Sequence, residues 1–480
     1  MKVYEEVEDV GQKRISTRWV CTERLKAGHV ETKARLCARG CEDAEEIPTD
    51  SPTCERDNVR LLLTIAATHN WPINSIDFKS AYLQGEDLNR DIFLTPPKEA
   101  NTNKLWRLKK CVYGINDAGK KWYNEIRRNL VQIGFRISLL DQAVFFMNND
   151  SQLSGLLVLH VDDTLWTGNK TFALNTIPLL KEKFLVSAEE HGSMRYLGTA
   201  VSSNESNCTM NLADYMSKLQ EIQINPSRPA DDVLTNGELK QLRTLSGQLN
   251  WLSTQCRPDI AFSSCQVACS LKNACVRDVK AANKTLRRAK GIEYNLTFSP
   301  LGNPSLWKIV CFSDASWGNL PDGGSQGGHL IFIMGEGGEA NLISWQSRRL
   351  KRIARSTLAA ETLSVMGGCD SSILLATQIS EIFENNLKVP ILLVTDNESL
   401  ANASRTTTSV EEKRLRIDMA ALREMVNSGE IEEIKWVPTE CQLADCLTKH
   451  GAKIDHLLAI IKQQIRLNPS NLQLMPPWHE

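Results

Sequence analysis

The sequence predicts a protein of more than one domain that mixes strands and helices in α/β and α+β arrangements. At 480 residues the chain exceeds the ~250–300 residues at which a single hydrophobic core stops growing. Short apolar runs such as "SIDFKSAYL" and "GLLVLHV" are typical of buried strands. In "KKWYNEIRRNLVQIGF", Trp122, Ile126 and Leu130 recur at the spacing of a helix. We therefore expect helices packed on sheets in at least two domains.

Segments rich in Pro, Gly, Asp and Asn divide the chain. The best linker candidate is "INPSRPADDVLTNG" at Ile224–Gly237, and "SPLGNPS" at Ser299–Ser305 marks a second boundary. We expect the tail to be helical up to Leu467 and loose beyond it. The predicted regions are a mixed domain at 1–223, a linker with helices at 224–306, a second α/β domain at 307–450 and a C-terminal tail at 451–480.

The composition predicts a globular protein without a membrane span or a secretory signal. Apolar residues make up 42% and charged residues 24% of the chain, which is ordinary for a globular protein. No stretch of about 18 apolar residues predicts a membrane span, and the acidic start "MKVYEEVEDV" does not resemble a secretory signal. The 14 cysteines are scattered without a CxxC pair, so we expect reduced thiols. These features predict a cytoplasmic or nuclear protein that is not secreted.

Positive charge is concentrated in one stretch, although the net charge is only −1. From Lys104 to Arg136 there are nine basic residues against Asp117 and Glu125, and Trp and Tyr residues interleave with them. Basic residues that neutralise phosphates, with rings available for stacking, indicate nucleic-acid binding. On charge alone, a solvated helix face is an equally good interpretation.

Three aspartates follow apolar strands in the first half of the chain. Asp162 and Asp163 come directly after "GLLVLHV", and Asp77 follows "NSI". A buried charge is costly unless it is paired or binds a metal. Carboxylates that converge from two strands suit Mg²⁺, and two such ions about 3.5–4 Å apart support in-line phosphoryl transfer. The alternative is an ordinary Asp-Asp turn.

A second set of carboxylates lies in the C-terminal third. Each member alone is best explained as a structural acid. Together they follow strand, helix, strand and helix in order, which predicts a second two-magnesium site that hydrolyses a phosphodiester. The four residues are Asp314 in "VCFSDASWG", Glu361 in "STLAAETLS", Asp396 in "ILLVTDNES" and Asp445 in "VPTECQLADCLTK".

The motifs between Trp19 and Val201 resemble, in order and spacing, the reverse transcriptase of copia-type LTR retrotransposons. This resemblance implies a right-hand polymerase with palm, fingers and a thumb or connection. It makes Asp77, Asp162 and Asp163 catalytic metal ligands. The matching motifs are "STRWVCTERL", "ETKARLCARG", "INSIDFKSAYLQGE", "LWRLKKCVYGINDAGKKWYNEI", "LVLHVDDTL" and "MRYLGTAV".

The same resemblance implies the substrate-binding residues. Tyr82 matches the aromatic residue that lies under the deoxyribose and excludes a 2′-hydroxyl. Lys33, Arg35 and Arg39 match the fingers segment that holds the incoming triphosphate, a task that suits cationic side chains. Asp117 belongs to a segment expected to support template and nucleotide.

The chain departs from the family pattern at two places. His160 stands where the family usually has Tyr before "VDD". The usual "LYGLKQAPRQW" reads "VYGINDAGKKW", so that Asn116, Asp117 and Gly119 replace Lys, Gln and Pro. Neither departure removes a predicted metal ligand.

From Trp307 to Lys449 the chain resembles the ribonuclease H domain that follows copia-type reverse transcriptases. The motifs are "SDASW", "STLAAE", "VTDNES" and "PTECQLADCLTK". The resemblance makes Asp314, Glu361, Asp396 and Asp445 catalytic metal ligands. The histidine that many ribonucleases H carry before the last aspartate is missing from "WVPTECQLAD". The preceding segment with "RPDI" (Arg257–Ile260) resembles the family's connection, for which we expect a structural role.

Together these features predict an RNA-directed DNA polymerase with ribonuclease H activity. The expected cofactor is Mg²⁺, two ions per site, with Mn²⁺ as a substitute. The expected partners are an RNA template, a DNA primer or RNA–DNA hybrid, and dNTPs, in a cytoplasmic virus-like particle. Motifs of a protease, integrase or nucleocapsid are not found, so we expect the C-terminal part of a polyprotein, with other Pol and Gag products supplied separately. The alternatives are a non-catalytic nucleic-acid-binding relic and an unrelated metal-dependent nuclease.

Overall fold

The computed structural model describes residues 2–26, 29–384, 387–406 and 412–475. The chain forms two compact units. The first consists of residues 1–55, 74–149 and 153–190, and the second of residues 56–73, 150–152 and 191–480. No helix among the described residues is long and apolar enough to cross a membrane. All 14 cysteines are free thiols.

Strands and α-helices follow one another in the described residues as far as residue 191. The strands are β1 (Tyr4–Val7), β2 (Thr17–Lys26), β3 (His29–Ala38), β4 (Ile73–Phe78), β5 (Phe93–Leu94), β6 (Leu105–Leu108), β7 (Arg136–Ile137), β8 (Val144–Asn149), β9 (Gln152–His160), β10 (Asp163–Gly168) and β11 (Val186–His191). The helices are α1 (Arg56–His69), α2 (Ala81–Gln84), α3 (Ala118–Ile133) and α4 (Ile177–Lys183).

A six-stranded sheet forms the centre of the first unit, in the order β11-β4-β10-β9-β8-β7. Strand β9 is almost wholly buried, as its apolar run predicts. Helix α3 is the helix predicted from the spacing of Trp122, Ile126 and Leu130, and all three side chains are buried. A three-stranded sheet, β1-β6-β5, and the hairpin β2-β3 complete this unit. The sheet places β4 beside β10, and thus Asp77 near Asp163.

Strands and helices alternate less regularly in the rest of the chain. The strands are β12 (Ser193–Tyr196), β13 (Thr199–Ser203), β14 (Cys208–Asn211), β15 (Leu296–Phe298), β16 (Lys308–Ser316), β17 (Gln326–Met334), β18 (Ala340–Arg349), β19 (Ile391–Thr395), β20 (Glu433–Trp436), β21 (Arg466–Leu467) and β22 (Leu474–Met475). The helices are α5 (Ala213–Ser217), α6 (Asn236–Gln255), α7 (Ala261–Ser270), α8 (Val276–Gly291), α9 (Thr357–Ile382), α10 (Glu398–Arg405), α11 (Lys413–Asn427) and α12 (Asp455–Ile461).

The second unit is built around a five-stranded sheet in the order β18-β17-β16-β19-β20. Strand β16 pairs antiparallel with β17 and parallel with β19. A parallel pair needs a crossover connection, and the long helix α9 lies in that connection. This is the α/β domain that the resemblance implied.

The compact units do not follow the predicted regions everywhere. Strands β12–β14 precede the linker, yet β14 pairs with β15 beyond it, so these strands group with the second unit. Helix α1 also belongs to the second unit. After Leu467 the described part of the tail is paired, because Leu467 pairs with Leu474 and its amide donates to Gly338 O at 2.9 Å. The rest of the predicted loose tail, residues 476–480, lies outside the described residues.

The "RPDI" segment forms a buried ion pair. Arg257 and Asp259 are 4% and 2% exposed, and their side chains meet in two hydrogen bonds of 2.8 Å. The Tyr294 hydroxyl donates to Asp259 Oδ1 at 2.6 Å, and Arg257 donates to Ala289 O at 2.6 Å. These bonds satisfy the buried charges and give the segment a structural role.

Candidate active sites

A strained two-residue turn presents the paired aspartates of the first unit. His160 pairs with Asp163 across β9 and β10, which leaves Val161 and Asp162 as the turn. Val161 has φ +59°, a conformation that is unusual for a β-branched residue and costs about 1–3 kcal/mol. The indole Nε1 of Trp122 donates to Val161 O at 2.6 Å. Helix α3 thereby fixes the backbone of the turn that carries Asp162.

The structure brings Asp77 beside this turn. Asp77 lies near the end of β4, and the Ser187 hydroxyl donates to both its backbone and its side-chain oxygen. On the neighbouring strand, the Thr164 hydroxyl accepts from the Ile76 amide at 3.1 Å and donates to its carbonyl at 2.8 Å. These bonds hold β4 and β10 in register at the carboxylates.

The three carboxylates repel one another. Burial, together with the negative charges of Asp162 and Asp77, raises the pKa of Asp163 to about 6. A divalent cation would relieve this repulsion, so the donor set fits a metal ion. Among the described residues, however, these three do not reach the mutual spacing of 4.8 Å that the second site shows.

Two predicted substrate-binding residues lie close to the turn. The Tyr82 ring packs edge-on against Tyr113 at 5.1 Å, and the Arg35 guanidinium lies 5.5 Å from the Tyr113 centroid. Burial raises the pKa of Tyr82, and the negative charge of Asp162 raises it further. Tyr113 therefore links the two predicted residues. The sequence offered no role for it beyond an aromatic position within the basic stretch.

The other two residues of the predicted fingers segment are Lys33, which lies on β3, and Arg39, which follows it. Lys33 is exposed on β3 and lies on the same face as Arg35, since alternate residues share a face. Arg39 follows the strand and lies 3.9 Å from the carboxylate of Glu42. Beside it, Ala38 donates to Tyr113 O at 2.7 Å. The end of β3 is thus fixed next to the Tyr113 ring.

This close approach depends on Gly114. Its φ of +90° lies in the region that favours glycine, and a Cβ there would lie 2.0 Å from Ala38 O. The neighbouring Asn116, which departs from the family pattern, donates from Nδ2 to Gly40 O at 3.2 Å. The altered segment therefore still holds the end of β3.

The carboxylate of Asp117 pairs with an arginine from another segment. It is 5% exposed, and Arg90 Nη2 lies 3.0 Å from its Oδ1. Arg90 also binds Asp43 at 2.8 Å, and these carboxylates raise the Arg90 pKa against the effect of burial. The Asp117 carboxylate is thus bound to the partly buried guanidinium of Arg90, and its substrate role stays a prediction.

The second unit gathers three of its four predicted carboxylates. Asp314 lies on β16, Glu361 on α9, and Asp396 directly after β19. One oxygen of each lies within 4.8 Å of the others. Helix α9 is fixed here because the Ser364 hydroxyl donates to Asp314 O at 2.8 Å. Parallel pairing of β16 with β19 then places Asp396 at the same edge of the sheet.

One carboxylate oxygen of this cluster is buried without a hydrogen-bond partner among the described residues. Glu361 is 4% exposed, and its buried Oε2 accepts no hydrogen bond from the described residues. Burial, with the charges of Asp314 and Asp396, raises the pKa of Glu361 to about 9. An orphaned carboxylate oxygen facing two further carboxylates is the arrangement that a divalent cation satisfies. The residues therefore fit a metal ion.

Asp445 approaches the cluster without joining the set of three. It lies in a short 3₁₀ turn, Leu443–Leu447, which comes close because Gly328 on β17 has no Cβ; one there would lie 2.5 Å from Leu447. Burial raises the pKa of Asp445 to about 6. The ammonium of Lys449 lies 2.7 Å from Asp445 Oδ1 and 3.2 Å from Asp314 Oδ1. Sequence reasoning did not assign Lys449.

Much of the basic stretch is neutralised by acidic side chains, most of which lie outside the stretch. Arg107 lies 2.6 Å from Asp91, and Lys109 lies 2.7 Å from Glu5. The run of charge in the sequence therefore overstates the positive surface. The further pairs are Lys104 with Glu8, Lys110 with Asp87, Lys121 with Glu86 and Arg128 with Glu125.

Known proteins are similar in sequence to this chain over most of its length. Residues 1–229 match the family model described as reverse transcriptase (RNA-dependent DNA polymerase). The chain is 26% identical over 460 residues to the retrovirus-related Pol polyprotein from transposon RE1 of Arabidopsis thaliana, covering 91% of this chain and 30% of that protein. The corresponding protein from transposon TNT 1-94 of Nicotiana tabacum is 23% identical over 473 residues, with coverages of 92% and 35%. The chain is a relative of copia-type Pol polyproteins.

This Pol relative spans about a third of the length of the curated proteins it matches. A solved structure of the foamy viral protease-reverse transcriptase in complex with RNA/DNA hybrid is similar with a TM-score of 0.53 and 12% identity. That likeness covers 91% of this chain and 51% of the other, and it concerns the fold alone. It confirms the predicted fold class, a polymerase fold followed by a ribonuclease H-like domain.

Proposed function

We propose that this Pol relative is an RNA-directed DNA polymerase with ribonuclease H activity that acts in retrotransposon replication. One observation carries the proposal. Each compact unit brings carboxylates from separate strands to one place, and burial among them raises the pKa of Asp163 in the first unit and of Glu361 in the second. Perturbed carboxylates in such clusters are typical of catalytic metal sites. The reverse transcriptase family match supports the polymerase half.

In the first unit, Asp77, Asp162 and Asp163 would hold two Mg²⁺ ions, for which Mn²⁺ can substitute. Bound ions would activate the primer 3′-hydroxyl and neutralise charge at the phosphates. The strained turn holds Asp162 in place before any ligand arrives, which lowers the cost of binding. Tyr82 would contact the sugar of the incoming dNTP. Lys33, Arg35 and Arg39 would bind its triphosphate, since cations on β3 complement the phosphate charge.

In the second unit, Asp314, Glu361, Asp396 and Asp445 would hold the ions that support hydrolysis of the RNA strand. Buried carboxylates at a sheet edge can accept a cation together with a phosphate oxygen. The substrate class is an RNA–DNA hybrid gripped through its backbone, because phosphate contacts position a duplex without reading its sequence. The similar foamy viral structure contains such a hybrid.

The predicted regions remain part of this proposal. Residues 1–223 would form fingers and palm, 224–306 the thumb or connection, 307–450 the nuclease, and 451–480 the C-terminal segment. The RNA template, DNA primer and dNTPs would be met in a cytoplasmic virus-like particle, with other Pol and Gag products supplied by separate chains.

Two assays on matched variants test the proposal. Primer extension on poly(rA)/oligo(dT) with Mg²⁺ should be abolished in Asp162→Asn, whereas cleavage of a labelled RNA–DNA hybrid should persist. Asp396→Asn should show the opposite pattern, so each variant controls for the folding of the other. Wild-type protein that is folded and binds hybrid but performs neither reaction would contradict the proposal and favour a non-catalytic nucleic-acid-binding remnant.

A further inference from the structure

The nuclease site contains a positive charge of the protein's own. Lys449 follows the turn that carries Asp445, and its Nζ lies between two carboxylates, 2.7 Å from Asp445 Oδ1 and 3.2 Å from Asp314 Oδ1. The side chain is 37% exposed, whereas that of Asp314 is 1% exposed. The cation therefore reaches from the surface into a buried acidic cluster.

The neighbouring residue completes the contact. The Thr448 hydroxyl donates to Asp314 Oδ2, while Lys449 binds Asp314 Oδ1. Both oxygens of the buried Asp314 carboxylate are thus bound from one short segment. The segment also holds Asp445, because the Thr448 and Lys449 amides both donate to Asp445 O.

The cluster is consequently divided into two parts. Asp314, Glu361 and Asp396 have oxygens within 4.8 Å of one another, and of these three Lys449 forms an ion pair with Asp314. The space between Asp314 and Asp445 contains the ammonium. A first cation can therefore bind at the unpartnered Oε2 of Glu361, whereas a second cation near Asp445 has to displace an ion pair that is already formed.

We propose that Lys449 is a positioning residue that occupies the place of the second metal ion until a divalent cation displaces it. Lys449 keeps Asp445 and Asp314 aligned without metal and makes the second ion bind more weakly than the first. The two ions then bind in order, and the second requires the added negative charge of a substrate phosphate. This inference rests on the proposed nuclease function and extends it to the loading of the site.

Calorimetric titration of Mn²⁺ into the full chain tests the inference. All proteins carry Asp162→Asn and Asp163→Asn, so that the heat reports on the second unit. Without nucleic acid, the parent should bind one ion tightly. Lys449→Met should bind a second ion at least ten-fold more tightly than the parent does. Lys449→Arg keeps the charge and should behave like the parent, and so should Lys453→Met, which changes an exposed lysine four residues further on.

A second readout does not depend on metal binding. In EDTA, Lys449→Met should unfold at a lower temperature than Lys453→Met, because Asp314 and Asp445 then face each other without compensation. Saturating Mn²⁺ should remove most of that difference. Equal thermal stability in EDTA, or unchanged stoichiometry and affinity for Mn²⁺, would overturn the inference.

The result can be separated from the proposed function. If the chain with Lys449 intact cleaves hybrid but Lys449→Met binds Mn²⁺ as the parent does, the inference alone fails. If no variant binds Mn²⁺ and wild-type protein cleaves no hybrid, the inference and the nuclease proposal fail together.

Discussion

The surroundings of Glu361 predict a protonated carboxyl group at neutral pH in the metal-free protein. Burial and the charges of Asp314 and Asp396 raise its pKa from the ordinary 4.5 to about 9. The folded state therefore binds more protons than the unfolded state between these values, and its stability falls as pH rises through them. In EDTA, the unfolding temperature of wild-type protein should decrease between pH 5 and pH 9. Glu361→Gln should decrease less, since the amide does not titrate.

Thermal melts in EDTA across this pH range measure the effect. Glu336→Gln is the matched control, because it makes the same change at an exposed position. The control should follow the wild-type profile. Parallel profiles for Glu361→Gln and wild-type protein would show that the carboxylate is not protonated in the folded state. Added Mg²⁺ should stabilise wild-type protein more at pH 9 than at pH 6, because the metal binds the ionised carboxylate.

At the scale of single elements, one buried side chain attaches helix α1 to the rest of the second unit. Arg60 is 2% exposed, and its guanidinium donates to the backbone oxygens of Ile343, Thr254 and Gln255 at 2.7, 2.6 and 3.0 Å. The same group lies 3.8 Å from the Trp345 ring centroid. Arg60→Met should lower the stability of the second unit by about 3–5 kcal/mol, because it leaves buried polar partners unsatisfied.

Denaturant unfolding measures the loss, and hydrogen exchange of α1 amides locates it. Arg56→Met, on the same helix but exposed, should change stability by no more than about 0.5 kcal/mol. Arg60→Lys should resemble Arg60→Met, since an ammonium lacks the planar fork and the stacking surface. A loss below 1 kcal/mol in Arg60→Met would show that the hydrogen bonds contribute little.

The sequence predicts elements and site residues where the signal is local. Asp162 and Asp396 each follow an apolar run, so their place at a strand end is visible in the sequence. The position of Lys449 between two carboxylates is not visible, because it depends on how a short turn approaches a neighbouring strand. The partner of Asp117 is not visible either. Arg90 lies 27 residues away in the chain, and no periodic pattern connects the two residues.

The sequence also could not predict which charges are compensated or which helices belong to which compact unit. The basic stretch is compensated by acids such as Glu5 and Asp91, which only the folded chain brings near it. Helix α1 looks from the sequence like part of the first domain. It groups with the second unit because Arg60 finds its partners there. Pairings between remote segments are set by tertiary packing, which periodicity does not encode.

For the whole molecule, a net charge of −1 means that global charge does not attract nucleic acid. Any attraction has to come from local surfaces whose cations are uncompensated. The second unit has such a surface in a cavity of about 1150 Å³ that Lys449 also lines. Lys284 and Arg288 lie one turn apart on α8 and line it, and no described acidic side chain forms an ion pair with either. The acids in the lining have other partners: Asp259 pairs with Arg257, Asp322 with Arg349, and Asp278 accepts from the Cys275 amide.

We expect this pair of cations to contact the backbone of an RNA–DNA hybrid beside the proposed nuclease site. Each neutralised phosphate contributes about 0.7–0.9 to the slope of log Kd against log salt. Lys284→Gln with Arg288→Gln should therefore reduce that slope by about 1.4–1.8 in fluorescence-anisotropy titrations with an RNA–DNA hybrid. The matched control is Lys280→Gln with Arg287→Gln on the same helix, whose cations bind Arg228 O and Glu221. An equal slope for both double variants would show that the cavity does not bind the backbone.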